Sequence, residues 1–286
     1  MGSRHPAAGL ASTRSPLVAD QRAEYFEPPS RMQLLDKLHH LIRFSDFLIL
    51  LEGPSGSGKT TLLRQLRRQT EGGRSARLRL QEVTGTAALL RRVGEASDLE
   101  PPSVETEGAW LEQLYTQARL LEETGQQWLL LIDNAGLLDD EALQLLLNFQ
   151  RAASRQLRLV LADQSVLARL QGLGLDELLE GRWHREELKP FDSDEAEDFI
   201  RLCYPALEVF DGRRLQKLVQ RSDGLPGSLE RLAGDALRLG GARAGGGQTT
   251  QRAADCAPFG RRPGAGPAAG YGGLDLVAAV PRNPDQ

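Results

Sequence analysis

The segment Gly53-Pro54-Ser55-Gly56-Ser57-Gly58-Lys59-Thr60-Thr61 constrains this chain more than any other. It follows the continuous apolar run Phe47-Leu48-Ile49-Leu50-Leu51, which suits a strand buried on both faces. It precedes Lys59–Gln69, which reads as a helix. The spacing is that of a phosphate-binding loop, G-x-x-x-x-G-K-[ST]. Its glycines let successive backbone N–H groups curl onto phosphate oxygens, and the helix that starts at Lys59 adds its positive end. Lys59 is expected to reach the β- and γ-phosphates, Thr60 to ligate Mg2+ through its hydroxyl, and Thr61 to touch the α-phosphate.

The rest of the chain alternates strand and helix. A helix is expected around Met32–Ile42, followed by the strand of Phe47–Leu51. Further strands are expected at Ala76–Leu80, Trp128–Ile132, Leu157–Ala162 and, at an edge, Trp183–Leu188. Helices are expected at Ala87–Ala96, Glu107–Glu122 and Glu141–Ala153. This pattern predicts a parallel sheet covered on both faces, an α/β fold. Arg74, Arg77 and Arg79 interleave with Ala76, Leu78 and Leu80, which suggests a strand near a sheet edge with its polar face outward. After Pro190 the strands stop, and Ser193–Cys203, Arg213–Arg221 and Ser228–Leu239 read as three helices of a small subdomain. The expected organisation is a flexible arm over residues 1–23, a nucleotide-binding domain over 24–190, a helical lid over 191–240 and a disordered Gly/Ala/Pro-rich tail over 241–286. The tail also resembles GC-rich DNA translated in a shifted frame.

Composition narrows the function classes. The net charge of −4 does not favour nucleic-acid binding through bulk charge. Two cysteines, Cys203 and Cys256, are too far apart for a CxxC site and fit a reducing compartment. No run is long and apolar enough to span a bilayer. A cytoplasmic location is the expectation. His39 and His40 have no partner at metal-ligand spacing and read as a surface pair. Arg64, Arg67 and Arg68, on the helix after the phosphate loop, read as a solvated face.

A phosphate loop needs a carboxylate on a neighbouring strand to hold the metal. Asp133, ending the apolar run Leu129-Leu130-Leu131-Ile132, is the candidate. The next residue is Asn134, whose amide can orient a water but cannot accept its proton. Asp139 or Asp140 is expected to cap the helix that follows. Asp163 and Gln164 end the third buried strand, which should lie between the other two and could reach the γ-phosphate region.

These segments together resemble the AAA+ P-loop ATPases, specifically the ExeA/GspA-like branch and the N-terminal domain of DamX-type cell-division proteins. The likeness runs from about Tyr25 to Leu239. It rests on Tyr25–Arg31 with the helix Leu34–Ile42, the phosphate loop, Leu130–Leu143, Val160–Leu167, Leu188–Phe191 and above all Ser222-Asp223-Gly224-Leu225-Pro226-Gly227-Ser228-Leu229-Glu230-Arg231-Leu232. The resemblance implies a three-layer αβα fold with a C-terminal helical lid, ATP and Mg2+ as cofactors, and Asn134 and Gln164 at the catalytic-acid and polar-sensor positions. It implies a protein partner in cell division or envelope assembly and a capacity to form homo-oligomers, while the acidic balance and the lack of a winged-helix pattern after the lid argue against a nucleic-acid partner. Members of the branch are often anchored to the inner membrane by a segment not seen here. Two departures stand out. Asn134 replaces the catalytic acid, and Gly227 stands where many lids carry a sensor arginine. Arg182 and Arg185 lie near the place of an arginine finger. Binding with slow or absent hydrolysis is therefore the leading expectation, with an active assembly ATPase and a nucleic-acid loader as alternatives.

Overall fold

The computed structural model describes residues 26–70, 74–153, 156–207 and 212–241. The expected arm lies outside these residues, as does the expected tail from residue 242 onward. Among the described residues five strands, β1 (Leu48–Glu52), β2 (Arg74–Arg79), β3 (Trp128–Asp133), β4 (Leu157–Asp163) and β5 (Trp183–Glu187), form one sheet in the order β2-β3-β4-β1-β5. All neighbouring pairs are parallel. β4 lies between β1 and β3, and β2 and β5 form the two edges, as the sequence led us to expect.

Every residue of β1 and β3 is buried. Alternation along each strand then divides the core between the two faces. Leu48 and Leu50 join the cluster beneath α3 (Thr86–Ala96), α4 (Glu107–Glu123), α5 (Asp140–Ala152) and α6 (Val166–Gly172). Ile49 and Leu51 join the cluster beneath α1 (Pro29–Phe44) and α2 (Lys59–Gln69). The result is the expected αβα sandwich. Trp110 and Trp128 are core residues, each exposing 2% or less.

One expectation about β2 needs correction. Its arginines do not all face solvent. Ala76 and Leu78 pack under α3 and α4, so Arg77 and Arg79 emerge on the α2 face and turn towards Asp133 of β3. A charged side chain on a sheet face covered by a helix must find an opposite charge there, and Asp133 is that charge.

Beyond β5, α7 (Ser193–Cys203), α8 (Gly212–Ser222) and α9 (Pro226–Gly241) pack around a separate cluster that includes Phe191, Phe199, Leu229 and Ala233. α7 opens with a capping box made by Asp192 and Glu195. Phe26, just before α1, stacks edge-on against Phe191 and Phe199 at 5.5 Å each. The start of the described chain is thereby tied to the C-terminal helices.

Arg158 on β4 shows how a buried cation can serve the fold alone. It is 8% exposed, and its Nε donates to the Ile42 carbonyl at the end of α1 at 2.9 Å. Arg158→Ala strands that carbonyl and opens a cavity, so we expect a loss of roughly 2–4 kcal/mol, read from urea unfolding.

Candidate functional site

β1 ends at Glu52, and the chain turns through the phosphate loop into α2. Gly58, at the N-cap of α2, has φ 100°, a left-handed conformation that glycine adopts without strain. Gly56 likewise has φ 81°. Lys59 is 9% exposed and folds back on the loop, its Nζ donating to the carbonyls of Gly53 at 2.7 Å and Pro54 at 3.0 Å. Burial pushes its pKa down, opposed by the charges of Asp163 and Asp133. Thr60 is 7% exposed, and the hydroxyls of Ser57 and Thr61 are buried without a hydrogen-bond partner.

Three carboxylates stand at the ends of adjacent strands, and their surroundings separate their roles. Glu52 of β1 is spoken for. It accepts the Leu167 N–H at the start of α6 at 2.7 Å and pairs with Arg185 at 2.5 Å. Asp163 of β4 accepts the N–H groups of Gly136 and Gln164, each at 2.6 Å. It thereby holds the turn after β3. Asp133 of β3 is 1% exposed, and neither of its oxygens accepts a hydrogen bond. Its nearest opposite charges are Arg77 at 3.5 Å and Arg79 at 3.9 Å. A buried carboxylate with no donor is costly unless something completes it. With Thr60 and the orphaned loop hydroxyls, this donor set fits a hydrated Mg2+ beside a polyphosphate.

Asn134 does not reach into this site. Its backbone is left-handed, with φ 61° and ψ 46°, and its Nδ2 donates to the Leu80 carbonyl at 2.8 Å. Asparagine tolerates that conformation better than most residues. Here the amide clamps the end of β2 to the end of β3. Gln164 is exposed at the end of β4. Asp139 caps α5 by accepting the Ala142 N–H at 2.7 Å, as expected, while Asp140 pairs with Arg169 at 2.8 Å.

The two candidate finger arginines are otherwise engaged. Arg182 pairs with Asp46 and Glu180 at 3.7 Å, at the end of the sheet opposite the phosphate loop. Arg185 is bound to Glu52. His39 bonds Gln69 at 3.0 Å, and His40 packs on Phe44.

The C-terminal helices meet the loop directly. The Gly227 N–H, in the first turn of α9, donates to the Gly56 carbonyl at 2.9 Å. A Cβ at position 227 would lie 3.0 Å from the Gly56 Cα. Close backbone approach, rather than a missing long side chain, is what this glycine supplies.

Three residues in this region escaped sequence reasoning. Arg31 is 6% exposed, donates to the Lys189 carbonyl at 2.7 Å and the Ser57 carbonyl at 3.4 Å, and stacks on Phe191 at 4.8 Å. It ties α1 to the loop and to the segment entering α7. Its place in the Tyr25–Arg31 segment was the one available signal. Arg77 was visible only as part of an alternating strand. Glu230, three residues after Gly227 on α9, buries its Oε1 without a partner, and burial pushes its carboxyl up to about 8.

Because the folded pKa of Glu230 is raised, the folded protein keeps a proton that the unfolded chain releases. Stability should therefore fall as pH rises from about 4.5 to about 8 and level off above. Glu230→Gln should remove that slope in thermal melts taken across this range.

Residues 42–170 match the family described as AAA domain. No curated protein matches the chain. Among solved structures, a Walker-type ATPase of Pyrococcus abyssi superposes with a TM-score of 0.60 at 18% identity, covering 76% of this chain and 71% of that one. CDC6P from Pyrobaculum aerophilum gives a TM-score of 0.54 at 17% identity, over 79% of this chain and 65% of that one. The Aeropyrum pernix ORC1 protein in complex with DNA gives 0.53 at 16% identity, over 78% of this chain and 64% of that one. The chain thus spans just under two thirds of the length of these last two proteins. At such identities the likeness is one of fold. The phosphate loop and the buried strand-end aspartate both fall within residues 42–170, the segment that matches the AAA domain.

Proposed function

We propose that the chain binds ATP with Mg2+ and acts as a nucleotide-dependent interaction module with slow or absent hydrolysis. The observation that carries this reading is the contrast between Asp133 and Asn134. The first is a buried carboxylate lacking hydrogen-bond donors, and the second is an amide turned away onto Leu80. Lys59 and the loop amides would hold the phosphates, aided by the dipole of α2. Thr60 and Asp133 would hold Mg2+, which supplies charge neutralisation at the β- and γ-phosphates. No side chain at position 134 is placed to take a proton from an attacking water, and Gln164 is left as the polar residue nearest that role.

In this reading α7–α9 form a lid whose first contact with the phosphate loop is the Gly227–Gly56 hydrogen bond. Nucleotide can favour a closed lid only to the extent that it binds that state more tightly. The resemblance to the ExeA/GspA-like and DamX-type proteins supports a protein partner in cell division or envelope assembly, a cytoplasmic domain and homo-oligomers. Among the described residues no helix is long and apolar enough to cross a membrane. An active ATPase driving assembly is the alternative within the same family.

A second reading is a nucleotide-controlled DNA-binding module. It draws on the DNA complex among the fold neighbours and on the arginines Arg64, Arg67, Arg77 and Arg79 gathered where α2 covers β2. Salt-sensitive duplex binding would favour it.

Calorimetry with MgATP should show binding, and Lys59→Ala should weaken it by about tenfold or more. Absence of heat from folded wild-type protein at millimolar nucleotide would refute the proposal. Phosphate release should stay below about one per second, a modest turnover for a phosphoryl-transfer enzyme. Asn134→Glu should raise it only if the remaining water site is complete.

A further inference from the structure

Arg77 has a position that the proposed chemistry does not use. It rises from the edge strand β2 on the face covered by α2, and its side chain is 19% exposed. Its Nη1 lies 3.5 Å from Asp133 Oδ2, yet that nitrogen is buried without a hydrogen-bond partner, and neither Asp133 oxygen accepts one. The two groups are therefore associated by charge and not locked by hydrogen bonds. Arg79, the direct register partner of Asp133 on the neighbouring strand, adds a second cation at 3.9 Å. Arg64 and Arg67 of α2 act on Arg77 as like charges, and Asp133 is the opposite charge acting on it.

We propose that Arg77 is a positioning residue that serves Asp133 as an internal counter-cation. It holds the carboxylate at the mouth of the phosphate loop in the absence of metal, and its charge weakens the hold of the completed site on Mg2+. The inference rests on Asp133 being the metal-holding carboxylate. A buried carboxylate is costly without an opposite charge beside it. Arg77 supplies that charge at 3.5 Å, and because no hydrogen bond locks the pair, the carboxylate stays available. The same guanidinium then stands beside an incoming divalent cation and repels it. Magnesium becomes the more weakly bound half of the MgATP pair, so occupancy follows the free Mg2+ concentration as well as ATP.

The test is ATP binding by calorimetry, titrated over free Mg2+ from chelator-buffered to saturating levels, on the full chain. Arg77→Met keeps most of the stem and removes the charge. The Mg2+ concentration for half-maximal enhancement of ATP binding should fall on the order of tenfold. Arg77→Lys should stay within about twofold of wild type, because the charge remains. Arg77→Gln gives the same reading should the methionine variant not fold. An unchanged or raised Mg2+ requirement in the uncharged variants, with ATP still bound, would overturn the inference. So would a lysine variant that shifts as far as the methionine one, since that would mean shape and not charge. A wild-type protein that binds no ATP at any Mg2+ level is a distinct result, which removes the nucleotide reading itself.

Discussion

The central constraint is that β1, β3 and β4 are buried on both faces, so their polar groups can stand only at the strand ends. Parallel strands present those ends together on one side of the sheet. Glu52, Asp133 and Asp163 consequently cluster at the same edge as the phosphate loop. A carboxylate at the end of a buried strand needs a partner to offset its lost hydration. The structure resolves this by giving each a different partner. Glu52 takes Arg185 and the start of α6, Asp163 takes two backbone N–H groups, and Asp133 takes only the looser charges of Arg77 and Arg79. The acid left without donors is the one the phosphate loop would need.

The same logic explains what Asn134 and Gly227 do. Both occupy positions that the family resemblance ties to catalysis, and both have structural work in their place. Asn134 in a left-handed turn closes the gap between β2 and β3, a task its short amide performs well. Gly227 lets α9 approach the loop backbone to hydrogen-bonding distance. Neither site is merely lacking a residue. Each has a local geometry that a longer acid or an arginine would have to displace.

Much of the fold was legible because strand and helix periods are local. The runs Leu48–Leu51, Leu129–Ile132 and Leu159–Ala162 are short and apolar at consecutive positions, which suits a strand covered on both sides. The nine residues of the phosphate loop were legible because their backbone demands are written in the glycines. The side-chain partners were less so. Arg77, Arg79 and Arg185 are ordinary exposed-looking arginines in sequence, and their carboxylates lie on other strands. Arg31 and Glu230 were opaque for the same reason, since their burial comes from segments more than a hundred residues away or from helices that pack late in the chain.

Sequence alone determined the sheet, the phosphate loop, an aspartate cap at the start of α5 and the strand-end aspartate, because each follows from neighbours within a few residues. Tertiary structure decided which carboxylate lacks hydrogen-bond donors, which arginines are engaged, and how α9 meets the loop. Those outcomes depend on register between strands and on the packing of distant helices, and a register shift of one residue would turn every one of these side chains to the opposite face.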